Sequence, residues 1–217
     1  MTDEGSVGFD ATEYGGVCRT RAIKYPWAPD AYLAFLWRYP GNDKARHVEL
    51  AVSRNGQDWT LFGTNWYLPP GSAGEELMMY GLIRRGDERW QYVDEGGAHG
   101  GGGPRNYYRY RQRLDGFTSL DAGYAIGVAT TLPAVIEGSQ LQLNFKARGG
   151  IKVAILDSMG KEVPGFGLDD CDRLSGDSVA HKVTWRGVSD VSGLNGKPVR
   201  VKLEMQAAKL FAFEFAR

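Results

Sequence analysis

The feature that most constrains this chain is its punctuation. From Ala31 onward no stretch keeps a helical period, and short aromatic and β-branched runs alternate with Gly, Pro, Asn and Asp. Runs of that length and content read as strands. They predict strands at 32–39, 47–53, 77–84, 89–94, 107–114, 124–129, 141–147, 151–156, 181–185, 199–205 and 210–215. Between them stand Asn55-Gly56, Arg85-Gly86-Asp87, Asp115-Gly116 and Ser158-Met159-Gly160, which supply the positive backbone angles of tight turns. Glycine reaches 30 of 217 residues while aromatics hold at 12%. A disordered Gly-rich chain lacks such aromatics, so the expected class is all-β.

Charge narrows the partners. The 26 Lys+Arg balance 26 Asp+Glu, whereas a sequence-independent nucleic-acid or anionic-membrane surface needs a basic excess; neither nucleic acid nor membrane is expected. No run approaches the roughly 18 apolar residues of a membrane-spanning helix. The opening MTDEGSVGFD shows no basic and then apolar segment of a signal peptide, and the compartment stays open. Cys18 and Cys171 are too few and too distant for a disulfide framework or a zinc site.

Organisation is legible at two levels. The turns at Asn55 and Asp115 lie 60 residues apart, each after a strand. Units of that period built from short strands suit propeller blades. After Leu132-Pro133 the turn motif is absent, and 141–145 and 151–155 alternate as half-buried strands do. The expected domains are an irregular lead-in over 1–30, about two late blades of a β-propeller over 31–131, and a small antiparallel β-sandwich over 132–217.

Taken in order, Leu50-Ala51-Val52-Ser53-Arg54-Asn55-Gly56-Gln57-Asp58-Trp59, Arg85-Gly86-Asp87-Glu88-Arg89-Trp90, His99-Gly100 and Arg113-Leu114-Asp115-Gly116-Phe117 resemble the late blades of five-bladed glycosyl-hydrolase-like propellers of the invertase and arabinanase type. The later motifs Leu156-Asp157-Ser158-Met159-Gly160, Asp170-Cys171-Asp172, Val183-Thr184-Trp185-Arg186-Gly187 and Leu194-Asn195-Gly196-Lys197-Pro198 resemble that family's carboxyl-terminal sandwich. The resemblance implies a carbohydrate ligand and a glycoside-hydrolase-like role. It also implies catalytic carboxylates drawn from several blades, so about two blades hold an incomplete set.

Glycoside hydrolysis uses two carboxyl groups held about 5–10 Å apart. Glu76, with Glu75 beside it, follows Gly71-Ser72-Ala73-Gly74 into a strand and is the acid candidate; the competing account is a solvated pair at a strand start. His99, in the Gly-rich run 96–103, is a candidate for contacting sugar hydroxyls, against an ordinary exposed loop histidine. Trp66 and Tyr67, in a loop before Leu68-Pro69-Pro70, are expected as an exposed stacking pair. Trp37, Trp59, Trp90, Tyr107, Tyr108 and Tyr110 divide between stacking platforms and core, and His47 and His181 are read as structural. Asp169, Asp170, Asp172 and Asp177 invite calcium but lack an EF-hand order, and turn chemistry is the stronger account; no cofactor is expected. The alternative functions are a stand-alone carbohydrate-binding module and a structural β domain. In the latter, a second copy or further blades cover the open sheet edges.

Overall fold

A computed structural model of the chain describes residues 16–39, 47–61, 67–68, 76–96 and 105–217. They are strand and turn with a single 3-10 turn at Ser192–Leu194 and no α-helix, which bears out the all-β class. The chain divides into two compact units, Met1–Arg111 and Gln112–Arg217.

In the first unit, β1 (Gly16–Lys24), β2 (Tyr32–Tyr39), β3 (His47–Ser53) and β4 (Trp59–Leu61) form an antiparallel meander in chain order. β2 and β3 have the bounds that the sequence predicts. β2 is apolar at nearly every position, so both of its faces can be covered: Leu33 to Arg38 are all buried. Ala34 and Leu36 join Ala51 on one face, with Val17, Trp59 and Leu61 against them. β1 occupies part of the span read as an irregular lead-in; its Arg19-Thr20-Arg21-Ala22-Ile23 alternation carries charge on a strand face, which hides it from a hydrophobic reading.

The turn from β3 to β4 is latched by side chains. Ser53 Oγ accepts from the Gly56 amide at 2.8 Å, and Asn55 Oδ1 accepts from the Gln57 and Asp58 amides at 2.9 and 2.8 Å. Gly56 sits at φ +78°, with the Tyr32 ring 3.4 Å from where a Cβ would lie. The later turn shares only part of this design. Asp115 adopts φ 55° and the Gly116 amide donates to Arg113 O at 3.0 Å, but the next strand joins the second unit's sheet. The 60-residue repeat is visible in the structure as shared turn chemistry.

The first unit's other sheet holds β5 (Glu76–Met78), β6 (Ile83–Arg85), β7 (Glu88–Gly96) and β8 (Arg105–Arg113). β5 and β6 pair with successive parts of β7, so they form one interrupted strand. The sequence predicts a continuous strand there; Gly81 at φ +94° breaks it. β8 pairs with β7 and continues two residues into the second unit.

The second unit is one curled antiparallel sheet, a half-barrel. β9 (Leu120–Ala122), β10 (Gly127–Thr130) and β11 (Ala134–Val135) pair in turn with β14 (Pro198–Ala216), which pairs along its length with β12 (Gln140–Leu156), and β12 pairs with β13 (Leu174–Lys182). This unit starts at Gln112, ahead of the Leu132-Pro133 break. The four predicted strands 141–147, 151–156, 199–205 and 210–215 are two long ones. Each is interrupted at the same level, where Gly150 takes φ 131° and Ala207 φ 44° and the register slips. A bulge bends and twists a strand without ending it, which wraps the sheet around its contents. Inside lie Leu141, Leu143, Phe145, Ile151, Val153 and Ile155 of β12 and Val199, Val201, Leu203 and Met205 of β14, closed over by Cys171, Trp185, Val191 and Leu194.

Candidate functional site

β7 reverses the usual alternation. Its buried side chains are those of Arg89, Gln91, Val93 and Glu95, whereas Trp90 is half-buried and Tyr92 is 40% exposed. Strands normally turn charge outward, because a buried ion needs partners to offset its lost hydration. Here partners come from both sheets of the first unit. Arg89 donates from Nη2 to the Tyr67 hydroxyl at 2.5 Å and from Nη1 to Gln91 Oε1 at 3.3 Å, and Gln91 Nε2 donates to Met79 O at 3.4 Å. The Tyr67 amide donates to Val48 O at 2.7 Å, and its ring lies 5.1 Å from that of Phe35. Tyr67 is thus half-buried between the sheets instead of forming an open stacking platform. Its hydroxyl has a better use holding a buried guanidinium.

The register of β5 and β7 sets Glu76 opposite Glu95. This pairing lies at one end of the sheet. Glu95 is 5% exposed. The same end holds Asp94, whose Oδ2 accepts from Arg105 Nη1 at 2.7 Å while its buried Oδ1 has no hydrogen-bond partner among the described residues. Glu75, Trp66 and His99 lie outside the described residues.

Glu95 lies one residue past the strand expected at 89–94, and Trp90 and Tyr92 mark their own face as the buried one in the sequence. The signal was available in the alternation Arg89, Gln91, Val93, Glu95, a polar face inside a strand otherwise suited to burial.

A second polar cluster lies on the first sheet. Arg38 Nε donates to Glu49 Oε2 at 2.7 Å, and His47 Nε2 lies 3.0 Å from Glu49 Oε1. His47 thus shares the Glu49 carboxylate with Arg38. His181 packs its ring edge-on to Phe145 at 5.6 Å. Trp37 is core, Trp59 packs against the first sheet's interior, and Tyr107 and Tyr108 are exposed. The connection between β1 and β2 forms a recess of about 490 Å³ lined by Lys24, Tyr25, Pro26, Trp27, Ala28 and Pro29, a single segment with no carboxylate.

Three of the four aspartates considered for calcium have separate partners. Asp170 pairs with Arg186 at 2.5 Å, Asp172 accepts from Thr184 Oγ1 at 2.6 Å and the Gly187 amide at 2.8 Å, and Asp177 pairs with Arg113 at 2.5 Å. Asp169 is exposed. The hydrogen bond from Thr184, then that from Gly187, holds the Asp172 carboxyl below the usual carboxylate range. Among the described residues no three potential metal ligands converge, and no helix is long and apolar enough to cross a membrane.

The chain matches no protein-family model and no curated protein. The class that fold and site define is accordingly a coarse one: an all-β protein with two compact units and a buried polar face at the carboxylate-bearing end of one sheet.

Proposed function

We propose that this chain is a carbohydrate-binding β protein. More particularly, we propose that it corresponds to the late blades and carboxyl-terminal sandwich of a glycosyl-hydrolase-like five-bladed propeller. The observation that carries the reading is the opposition of Glu76 and Glu95 at one end of the β5–β8 sheet. Two further features support it: a four-stranded meander in chain order, the plan of a blade, and a second meander joined to it through Tyr67. Carboxylates accept hydrogen bonds, and sugar hydroxyls supply them. With a catalytic set drawn from about two blades, binding is expected without substantial turnover.

The test is calorimetric titration with neutral oligosaccharides beside a panel of aryl glycosides. Saturable binding, weakened at least tenfold in Glu95→Gln and Glu76→Gln, is the expected result, with hydrolysis no faster than in buffer. A flat titration across the panel rules the reading out. Rapid hydrolysis abolished by Glu76→Gln would replace it with a complete enzyme.

A second reading, an assembling β domain, is favoured by β8, which is exposed along most of its length and, among the described strands, pairs only with β7. Such an edge recruits another strand. Sedimentation tests it: a species heavier than the monomer, dissociated by Tyr108→Pro on β8, supports assembly, and a monomer at all concentrations excludes it.

A further inference from the structure

The open face of the β5–β8 sheet carries an ordered cross-strand ladder. Asp94 meets Arg105 at 2.7 Å, the Trp90 ring meets the Arg109 guanidinium at 4.3 Å, and Glu88 meets Arg111 at 3.9 Å. The same alternation sets Tyr92 opposite Tyr107, both exposed, Tyr107 by 61%. From β6, Arg85 adds a second guanidinium 5.5 Å from the Trp90 ring. Trp90 Nε1 donates to Glu88 Oε2 at 3.0 Å, which fixes the indole.

The cations of this ladder differ in kind. Arg105 and Arg111 have carboxylate partners. Among the described residues Arg85 and Arg109 have none, and their contact is the indole ring. A guanidinium held against a ring face by its positive charge spends none of its N–H donors on a carboxylate, which leaves them for an oxyanion. Both stand over one indole, so their centres are no more than 9.8 Å apart, the sum of the two distances. Beside them lie two tyrosine rings, and the compensated pairs close the patch at either end.

We propose that this face binds a polysaccharide bearing spaced carboxylates, a polyuronate. Uronate carboxylates sit on Arg85 and Arg109, the neighbouring sugar lies on Tyr92 and Tyr107, and Glu88 takes hydroxyl hydrogens. The alternation of signs selects this occupant. A nucleic acid presents a phosphate at every residue of its backbone, which Glu88 and Asp94 repel, and the chain has no basic excess to offset that. A second β-sheet laid on this face would desolvate two unpaired guanidiniums, a cost its apolar side chains do not offset. The inference rests on the carbohydrate reading for its class of ligand, but it uses a different face from the Glu76–Glu95 end.

The experiment titrates the full chain with oligogalacturonate, chondroitin sulfate, neutral galactan and single-stranded oligothymidylate in physiological salt. Oligogalacturonate is expected to bind best. The Arg85→Gln/Arg109→Gln pair should weaken it at least tenfold, and Arg109→Lys several-fold, because lysine keeps the charge and loses the fork. Tyr107→Ala, at an exposed position that keeps the fold intact, should weaken it about threefold to tenfold. Unchanged affinity in both the double variant and Tyr107→Ala overturns the proposal. So does tighter binding of chondroitin sulfate or of oligothymidylate, or self-association that the double variant abolishes. Loss of oligogalacturonate binding in Glu95→Gln alone places the ligand at the carboxylate end and overturns this site while keeping the carbohydrate reading. Binding that depends on Arg85 and Arg109 while neutral glycans fail keeps this site and overturns the Glu76–Glu95 reading.

Discussion

Arg113 shows how much one side chain can organise. Its Nε and Nη1 donate to Asn144 Oδ1 and Asp177 Oδ1, and its Nη2 donates to the carbonyls of Phe145 and Ser178. Asn144, only 2% exposed, donates on to Leu114 O at 2.7 Å, so the start of the second unit is tied to two of its strands. Replacing Arg113 with Ala leaves buried acceptors unsatisfied, and chemical denaturation should show a loss of about 2–3 kcal/mol. The same contact carries a pH signature. The Arg113 hydrogen bond, then the charges of Arg113 and Lys146, hold the Asp177 carboxyl below its ordinary range. A carboxyl lowered on folding stabilises the fold above the unfolded value, about 3.9, and that contribution is lost as pH falls through the folded value. The Asp177 side chain is half exposed, so the contribution is at most about 1 kcal/mol. Thermal melts from pH 6 to pH 2 should fall less steeply for Asp177→Asn than for the wild type. Cys171 moves in the opposite direction: burial pushes its thiol up, and its Sγ accepts from the Val153 amide at 3.2 Å. Since the thiolate is the reactive form, peptide mass spectrometry should find Cys171 unalkylated in the native protein at pH 8 and fully alkylated in denaturant.

At the scale of the element, the bulge shared by β12 and β14 decides the second unit's shape. A Cβ on Gly149 would stand 2.3 Å from Gln206 O, a backbone atom that cannot swing away. Gly149→Ala should therefore cost about 1–3 kcal/mol and lower the melting temperature by several degrees, whereas Gly160→Ala meets no atom within 4 Å and carries only the smaller strain of a positive φ. This bulge also marks where sequence reading ends. Alternation within 141–147 and 151–156 was plain, but Gly149-Gly150 reads equally as a turn or as a kink, and only the long pairing with β14 chooses between them. β2 and β3 were legible to the residue because their apolar runs are sharply bounded. β7 was legible as a strand and misleading in its faces: Trp90 and Tyr92 point outward, since the interior is held together by Arg89, Gln91 and Tyr67. Glu76 is marked in the sequence by the glycines before it. Its partner Glu95 depends on a cross-strand register, which no local pattern encodes.

The whole molecule carries its stability in separate places. The first unit joins its two sheets through Phe35, Tyr67 and Arg89, mixing apolar packing with buried polar contacts. The second encloses an apolar interior running from Ile136 to Leu210, and the Arg113 network lies within it. A unit with its own core and satisfied internal hydrogen bonds can fold alone, and 106 residues is an ordinary domain length. The fragment Gln112–Arg217 should therefore unfold cooperatively on heating, with dispersed amide resonances and a buried Trp185 whose Nε1 donates to Val153 O at 2.9 Å. Its pairings are long-range, β12 with β14 above all, so refolding should be slow beside helical domains of similar size. Trp185→Ala removes the side chain that closes the half-barrel and should cost the fragment about 3–5 kcal/mol. A fragment that melts without cooperativity would mean that the curled sheet needs the first unit to hold its form.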